Sequence, residues 1–413
     1  MEKAILVGLD THSSDDFSES MAELAKLAEA CDIDVIQVTT QKADQPTANF
    51  YIGQGKVEGL KQDILTLDAN LVIFNDELSP SHIRNLEKAL ETKIIDRTVL
   101  ILDIFARRAK TKEAMLQVEL AQSLYLLPRV VGMYRSLSRQ KSGTGSKGPG
   151  EQQLEIDRRI LRDRISRLKT ELRDVVEIRR TQRRKRQQSA IKTVAIAGYT
   201  NSGKSTLMNA LLQHSSKKAD KYMFEKNMLF ATLETQTREI TLENNHHFLL
   251  TDTVGFISKL PHHLIEAFKS TLEEIKESSL ILHVIDAANP HYLQQIEVAE
   301  AVLKEIGVEN IPMIHVFNKI DRCTHLPIEE YPHTMHVSAL NDLNIDLLLA
   351  MTDRLLYPNR HIVRMLIPFS QGQLYNYLQK NTHIQETVFS NDGVSLLVEL
   401  DDLLMAKYAT YIL

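Results

Sequence analysis

The first 110 residues alternate short apolar runs with amphipathic stretches. Runs at 4–9, 34–39, 71–75 and 99–103 have the length and composition of buried strands. Between them, apolar residues recur every three or four positions, which predicts helices over 17–30, 55–67 and 81–90. Ser79-Pro80-Ser81 is a helix start signal. Such alternation predicts a small α/β sheet. A helix over 111–127 should stop before Pro128. Residues 142–150, SGTGSKGPG, cannot be regular structure. From 151 to 188 the pattern is one long helix, in which Leu161, Ile165, Leu168, Leu172 and Val175 form a seam of alternating four- and three-residue steps. The seam needs a partner, and the 111–127 helix is the nearest. Together they predict an antiparallel hairpin with the glycine-rich loop at its tip.

After 190 the pattern returns to buried strands, at 191–197, 248–251, 281–285 and 314–317, with a short one near His336. Residues 358–413 predict strands at 362–367, 388–389 and 395–399, a helix over 371–379, and a further strand at 406–413. The chain therefore divides into a small α/β subdomain (1–110), a helical hairpin (111–188), a central α/β domain with a parallel sheet (191–357) and a small carboxy-terminal α/β domain (358–413).

Charge changes this picture at one place. The net charge is −5, but residues 128–188 hold 18 lysines and arginines against 7 acids, a local excess of +11 that leaves −16 elsewhere. No acid lies between Pro128 and Gly150, where Arg135, Arg139, Lys141 and Lys147 flank or enter the glycine loop. A concentrated basic segment in an acidic chain suggests an anionic partner, nucleic acid first. A solvated charged helix and a plain linker are the alternatives. No run of about 18 apolar residues occurs, so no membrane span is expected. The first apolar stretch is too short for a signal peptide. The only cysteines, Cys31 and Cys323, lie far apart, which predicts neither a disulfide framework nor a zinc site and makes a reducing cytoplasm the default.

The chemistry lies in the central domain. The strand at 191–197 runs into Gly198, Tyr199, Thr200, Asn201, Ser202, Gly203, Lys204 and Ser205, a GxxxxGKS loop, and a helix opens at Thr206. Strand, loop and helix in that order are the context a phosphate-cradling P-loop requires. Gly198 and Gly203 let amides turn inward, the helix N-terminus adds positive potential, Lys204 should reach the β- and γ-phosphates, and Ser205 should ligate Mg²⁺. The 248–251 strand delivers Asp252, Thr253, Val254 and Gly255, a DxxG. Asp252 would hold Mg²⁺ through water, and the Gly255 amide would contact the γ-phosphate. The 314–317 strand delivers Asn318, Lys319, Ile320 and Asp321, an NKxD. A buried Asp321 carboxylate can accept hydrogen bonds from guanine N1–H and the exocyclic amine, which adenine cannot supply. Asn318 can contact the other base edge and Lys319 can cover the ring. Ser338, Ala339 and Leu340 form a turn whose backbone can approach guanine O6. Four motifs in order, each at a strand end, specify a GTP-binding and GTP-hydrolysing protein.

Between the P-loop and the DxxG, residues 229–238 contain Thr232, Thr235 and Thr237. A switch threonine ligates Mg²⁺ in the GTP state, and motif spacing leaves all three open. Phe256 stands where many GTPases use a glutamine to orient water. Phe cannot hydrogen-bond to water, so slow intrinsic hydrolysis and strong stimulation by a partner are expected.

Across nearly the whole chain the sequence resembles the HflX GTPases. The resemblance rests on YIGQGK at 51–56, DRT at 96–98, ILDIFARRAKT at 101–111, LQVELAQ at 116–122, GPGEQQLEIDRR at 148–159, FATL at 230–233, and the P-loop and DxxG stretches. It implies a P-loop GTPase that binds the large ribosomal subunit and splits stalled ribosomes under stress, with the amino-terminal region reaching toward the peptidyl-transferase centre. It also implies that Phe230, Ala231, Thr232, Leu233 and Glu234 are the first switch and that Thr232, with Ser205, ligates Mg²⁺. Catalysis would then rest on Lys204, Thr232 and Gly255. Glu234 and Thr235 depart from the Asp-Pro common in the family, and Gln152 from its Thr. A monomer is the simpler expectation. The alternative is a nucleotide-dependent RNA-binding or RNA-remodelling protein that does not act on whole ribosomes.

Overall fold

The computed structural model describes residues 2–11, 17–134, 149–188, 191–215, 236–259, 264, 272–308, 310–327 and 331–413. These fall into two compact units. One holds the chain up to residue 184 together with residues 255–259 and 264; the other holds 185–188, 191–215, 236–254 and the chain from 272 onward.

The first unit is built on four parallel strands in the order β2-β1-β3-β4: β1 (Glu2–Asp10), β2 (Ile33–Lys42), β3 (Leu71–Phe74) and β4 (Lys93–Asp96). Helices α1 (Phe17–Ala30), α2 (Gln54–Leu67) and α3 (Pro80–Leu90) connect them. β1 is buried over six successive residues because helices cover both sheet faces. α3 starts where the sequence signalled, with Ser79 Oγ accepting from the His82 amide at 3.2 Å.

Two expectations fail here. Residues 99–103 are not a strand but part of α4 (Arg97–Arg108). The Asp96 carboxylate caps that helix by accepting from the Val99 amide at 3.1 Å, and Leu100, Ile101, Ile104 and Phe105 are buried. A short apolar run alone does not separate a buried helix from a strand, and the cap decides it. Likewise α5 (Lys112–Tyr134) runs through Pro128 instead of stopping there. Proline costs one intrahelical bond to the residue four positions back, and Arg129 anchors the helix just beyond it. Its guanidinium donates to the Leu78 carbonyl at 2.9 Å, lies 3.3 Å from Asp96, and sits over the Tyr125 ring. α6 (Pro149–Gln188) meets α5 through Leu116 and Leu120 against Ile165 and Leu168, with Leu172 and Val175 alongside, as the seam predicts. Arg135, Arg139, Lys141 and Lys147 lie outside the described residues.

The second unit carries a six-stranded sheet, β10-β9-β8-β5-β7-β6, parallel except for β6. Its members are β5 (Lys192–Gly198), β6 (Gln236–Thr241), β7 (His247–Asp252), β8 (Leu280–Asp286), β9 (Met313–Asn318) and β10 (Thr334–His336). Val194, Ile196, Leu282, Val284, Ile314 and Val316 point to one face, against α7 (Lys204–Gln213) and α9 (Ile345–Leu356). Ile296, on α8 (Tyr292–Glu305), packs with Ile285 and Phe317. The period-2 alternation along each strand sends neighbouring residues to opposite layers. The chain ends in a three-stranded antiparallel sheet, β11 (Arg360–Ile367), β13 (Gly393–Asp401) and β12 (His383–Ser390), packed on α10 (Gly372–Asn381). The strand expected at 406–413 is absent: Asp401 caps α11 (Asp402–Lys407), and a single bridge ties Ile412 to Met365.

Among the described residues no helix is long and apolar enough to cross a membrane.

Candidate guanine-nucleotide site

The site forms at the carboxyl ends of β5, β7, β9 and β10, where a parallel α/β sheet presents its loops to ligands. Two glycines shape the P-loop. Gly198 adopts φ +147°, and a Cβ there would lie 2.2 Å from the Val284 carbonyl oxygen. Gly203 adopts φ +92°, and its Cβ would lie 2.3 Å from Asn318 Nδ2. Both have a backbone shape that side chains disfavour; at Gly198 the space is closed by backbone, and at Gly203 it is taken by the Asn318 side chain.

Lys204 is buried and donates to the carbonyls of Gly198 at 3.1 Å and Tyr199 at 2.6 Å. Burial pushes its ammonium down to about 8, against the opposing pull of Asp252. Ser205 Oγ donates to Asp252 Oδ2 at 3.0 Å, so the two oxygens that the motifs give to Mg²⁺ are neighbours. A hydroxyl beside a carboxylate at the end of a phosphate loop suits a hard divalent cation. Thr253 Oγ1 donates to the Ile196 carbonyl at 2.7 Å, which pins the DxxG to β5. Gly255 and Phe256 are buried and are grouped with the first unit. Thr200 Oγ1 and Ser202 Oγ are buried without a hydrogen-bond partner among the described residues.

The base-reading half is cross-braced in ways the motifs do not announce. Asn318 Nδ2 donates to the Ser202 carbonyl at 2.9 Å, and its Oδ1 accepts from the Ala339 amide at 3.0 Å. Asn318 thus ties the P-loop to the Ser338–Ala339 turn. Lys319, at φ +66°, donates to the Asn201 carbonyl and to Asp286 Oδ2, both at 2.6 Å. Asp321 was expected to be buried. Its carboxylate is only 16% exposed, although the residue as a whole reaches the surface. Ser338 Oγ donates to Asp321 Oδ1 at 2.6 Å and fixes its rotation. Leu340 is exposed, and Ile320 half-buried.

Sequence reasoning missed Ser338 and Asp286 as orienting groups. Asp286 stands at a strand end like the recognised motifs, which was the available signal. Of the first-switch threonines, Thr237 is on β6 with its hydroxyl 3.1 Å from that of Thr251. Phe230, Ala231, Thr232, Leu233, Glu234 and Thr235 lie outside the described residues.

A P-loop after β5, an aspartate ending β7 beside the P-loop serine, and an NKxD braced onto the P-loop define a P-loop GTPase. The family comparisons agree. Residues 193–319 match the model described as "50S ribosome-binding GTPase", residues 18–106 "GTP-binding GTPase N-terminal", and residues 108–186 "GTP-binding GTPase Middle Region". A GTPase HflX of Caldanaerobacter subterraneus subsp. tengcongensis is 45% identical, over 97% of this chain and 91% of its own. That of Escherichia coli is 38% identical, over 97% and 93%. A GTP-binding protein of Sulfolobus solfataricus, solved with GDP, is 26% identical over 86% of this chain and 99% of its own, with a TM-score of 0.45. The chain belongs to the HflX GTPases. It binds guanine nucleotide and hydrolyses GTP.

Proposed function

We propose that this GTPase binds the large ribosomal subunit and splits or recycles stalled ribosomes, with the ribosome stimulating hydrolysis. The observation that carries this reading is the central domain's match to a model described as ribosome-binding. The composition of the hairpin supports it. Arg159, Arg162, Arg167 and Arg173 stand exposed along α6, and the sequence between α5 and α6 adds Arg135, Arg139, Lys141 and Lys147. Such a surface would neutralise RNA phosphates and make binding salt-dependent.

In the nucleotide site, Lys204 would pair with the β- and γ-phosphates, Ser205 and Thr232 would ligate Mg²⁺ and Asp252 would hold it through water. The cation, when bound, would neutralise charge on the phosphates. The Gly255 amide would sense the γ-phosphate, and Asp321, oriented by Ser338, would read guanine. No group at Phe256 can hold the attacking water, so the ribosome would complete the hydrolytic arrangement. The reading is tested by GTP hydrolysis with and without purified large subunits, with cosedimentation in the same samples. Stimulation together with GTP-dependent cosedimentation is expected. Neither effect would remove the ribosome as partner and leave the alternative, a nucleotide-dependent RNA-binding protein.

A further inference from the structure

The turn that follows β10 is held by more than its motif residues. It closes on itself: the Leu343 amide donates to the Ser338 carbonyl at 3.0 Å, and the Ser338 amide to the Leu343 carbonyl at 3.2 Å. Asp342, in the same turn, adopts φ +58°, and its carboxylate meets His214, 128 positions away. His214 stands at the carboxyl end of α7, the helix that opens at Lys204. Its Nε2 lies 2.8 Å from Asp342 Oδ1. Its Nδ1 lies 2.5 Å from Oδ1 of Asp346, in the first turn of α9.

Two ring nitrogens that both face carboxylate oxygens are both satisfied only as donors, which makes the ring an imidazolium. The helix ends favour the same arrangement, with a cation at the carboxyl end of α7 and an anion at the amino end of α9. Burial alone would lower the His214 ring, but the bond to Asp342 and the charges of Asp342 and Asp346 outweigh it and raise the ring above its ordinary 6.5. Those two carboxylates are the charged groups that act on the ring among the described residues. The neighbouring strand β6 meets the next residue, Ser215, through the Thr241 backbone.

We propose that His214 is a positioning residue for guanine recognition: as an imidazolium it ties the 338–343 turn to the P-loop helix and holds the Ala339 amide in place for guanine O6. This rests on the reading of that turn as the base contact, and not on the ribosome as partner. Fixing the turn removes conformations that binding would otherwise have to select. The tie exists while the ring is charged and is lost as pH rises through its raised pKa. Affinity for guanine nucleotide therefore falls as pH rises above 6.5. GDP and GTP carry the same base, so both fall alike.

The test is His214→Gln in the full chain, which removes the titrating charge. Affinities for GDP and for a non-hydrolysable GTP analogue are measured by fluorescence titration from pH 6.0 to 8.5, with Tm alongside. Lys204 also loses its proton near 8, in parent and variant alike, so the difference between the two proteins is what is read. The expected result is a loss of about three- to fivefold at pH 6.0 for both nucleotides, closing toward pH 8.5. Asp342→Asn, which keeps the ring and removes a partner, should behave in the same way, and the double variant should lose no more than His214→Gln. A difference that does not change with pH, no difference at all, a loss for one nucleotide only, or additive losses would each overturn the positioning role. Asp321→Asn separates the two readings. If it shifts preference from GDP to XDP while His214→Gln matches the parent at every pH, positioning fails and the guanine site stands. If guanine preference survives Asp321→Asn, the guanine site as read here fails, and positioning fails with it.

Discussion

Gly203→Ala tests whether the P-loop and the base-reading loop form one mechanical unit. The backbone at Gly203 lies at φ +92°, where an L side chain costs about 1–2 kcal/mol. The added Cβ would sit 2.3 Å from Asn318 Nδ2, so Asn318 must move. Moving it gives up the bonds to Ser202 and Ala339, each worth about 1 kcal/mol net. Together the penalty is about 3–4 kcal/mol, or some two to three powers of ten in affinity if it falls on binding. The free protein can relax the loop, whereas nucleotide demands its original shape, so most of the loss should appear in GDP and GTP affinity. Isothermal titration with GDP, beside a thermal melt of the free protein, reads both. An affinity within about tenfold of the parent, with Tm unchanged, would refute the argument that Gly203 and Asn318 share one space.

Other consequences follow from the same geometry. Gly198→Ala should lower Tm as well as nucleotide binding, because its Cβ meets the Val284 backbone at 2.2 Å and no side chain can yield; a normal melt would contradict this. Asp321→Asn should abolish the preference for GTP and favour XTP in competition binding, and retained guanine selectivity would count against Asp321 as the reader. Ser338→Ala should weaken GTP about five- to tenfold by freeing the Asp321 carboxylate, and equal affinity would show that the bond does not orient it. His283 and His315 lie side by side on β8 and β9, their ring centroids 5.4 Å apart. Burial pushes them down to about 3 and about 4. The unfolded chain takes up protons near pH 6.5 while the folded one does not, so their contribution is intact above that pH and is lost as pH falls toward 4. By pH 5 the loss is about 2 kcal/mol per ring. Denaturant midpoints at pH 7.5 and 5.0 measure it, and a slope unchanged in a His283→Leu, His315→Phe double variant would assign the effect elsewhere.

Most of the fold was legible because its signals are local. The strands that deliver the P-loop, DxxG and NKxD are short apolar runs ending in residues of fixed type. The α5–α6 seam announced itself by spacing. Where local signals were ambiguous, reading failed. Residues 99–103 fit a strand as well as a helix until the Asp96 cap is known. Pro128 breaks a helix on average, but not where the tertiary environment anchors the next residue.

The sequence by itself determined the nucleotide, the reaction and the order of the motifs, since each rests on a few consecutive residues whose backbone and side chains act together. Only the tertiary structure decided how those motifs are held. Asn318 reaches a carbonyl 116 positions away, and Ser258 reaches Glu23 across 235. Those partners are chosen by which strand lies beside which and by the direction each side chain leaves its element. No local pattern encodes a distance of that kind, because it exists only once the sheets have formed.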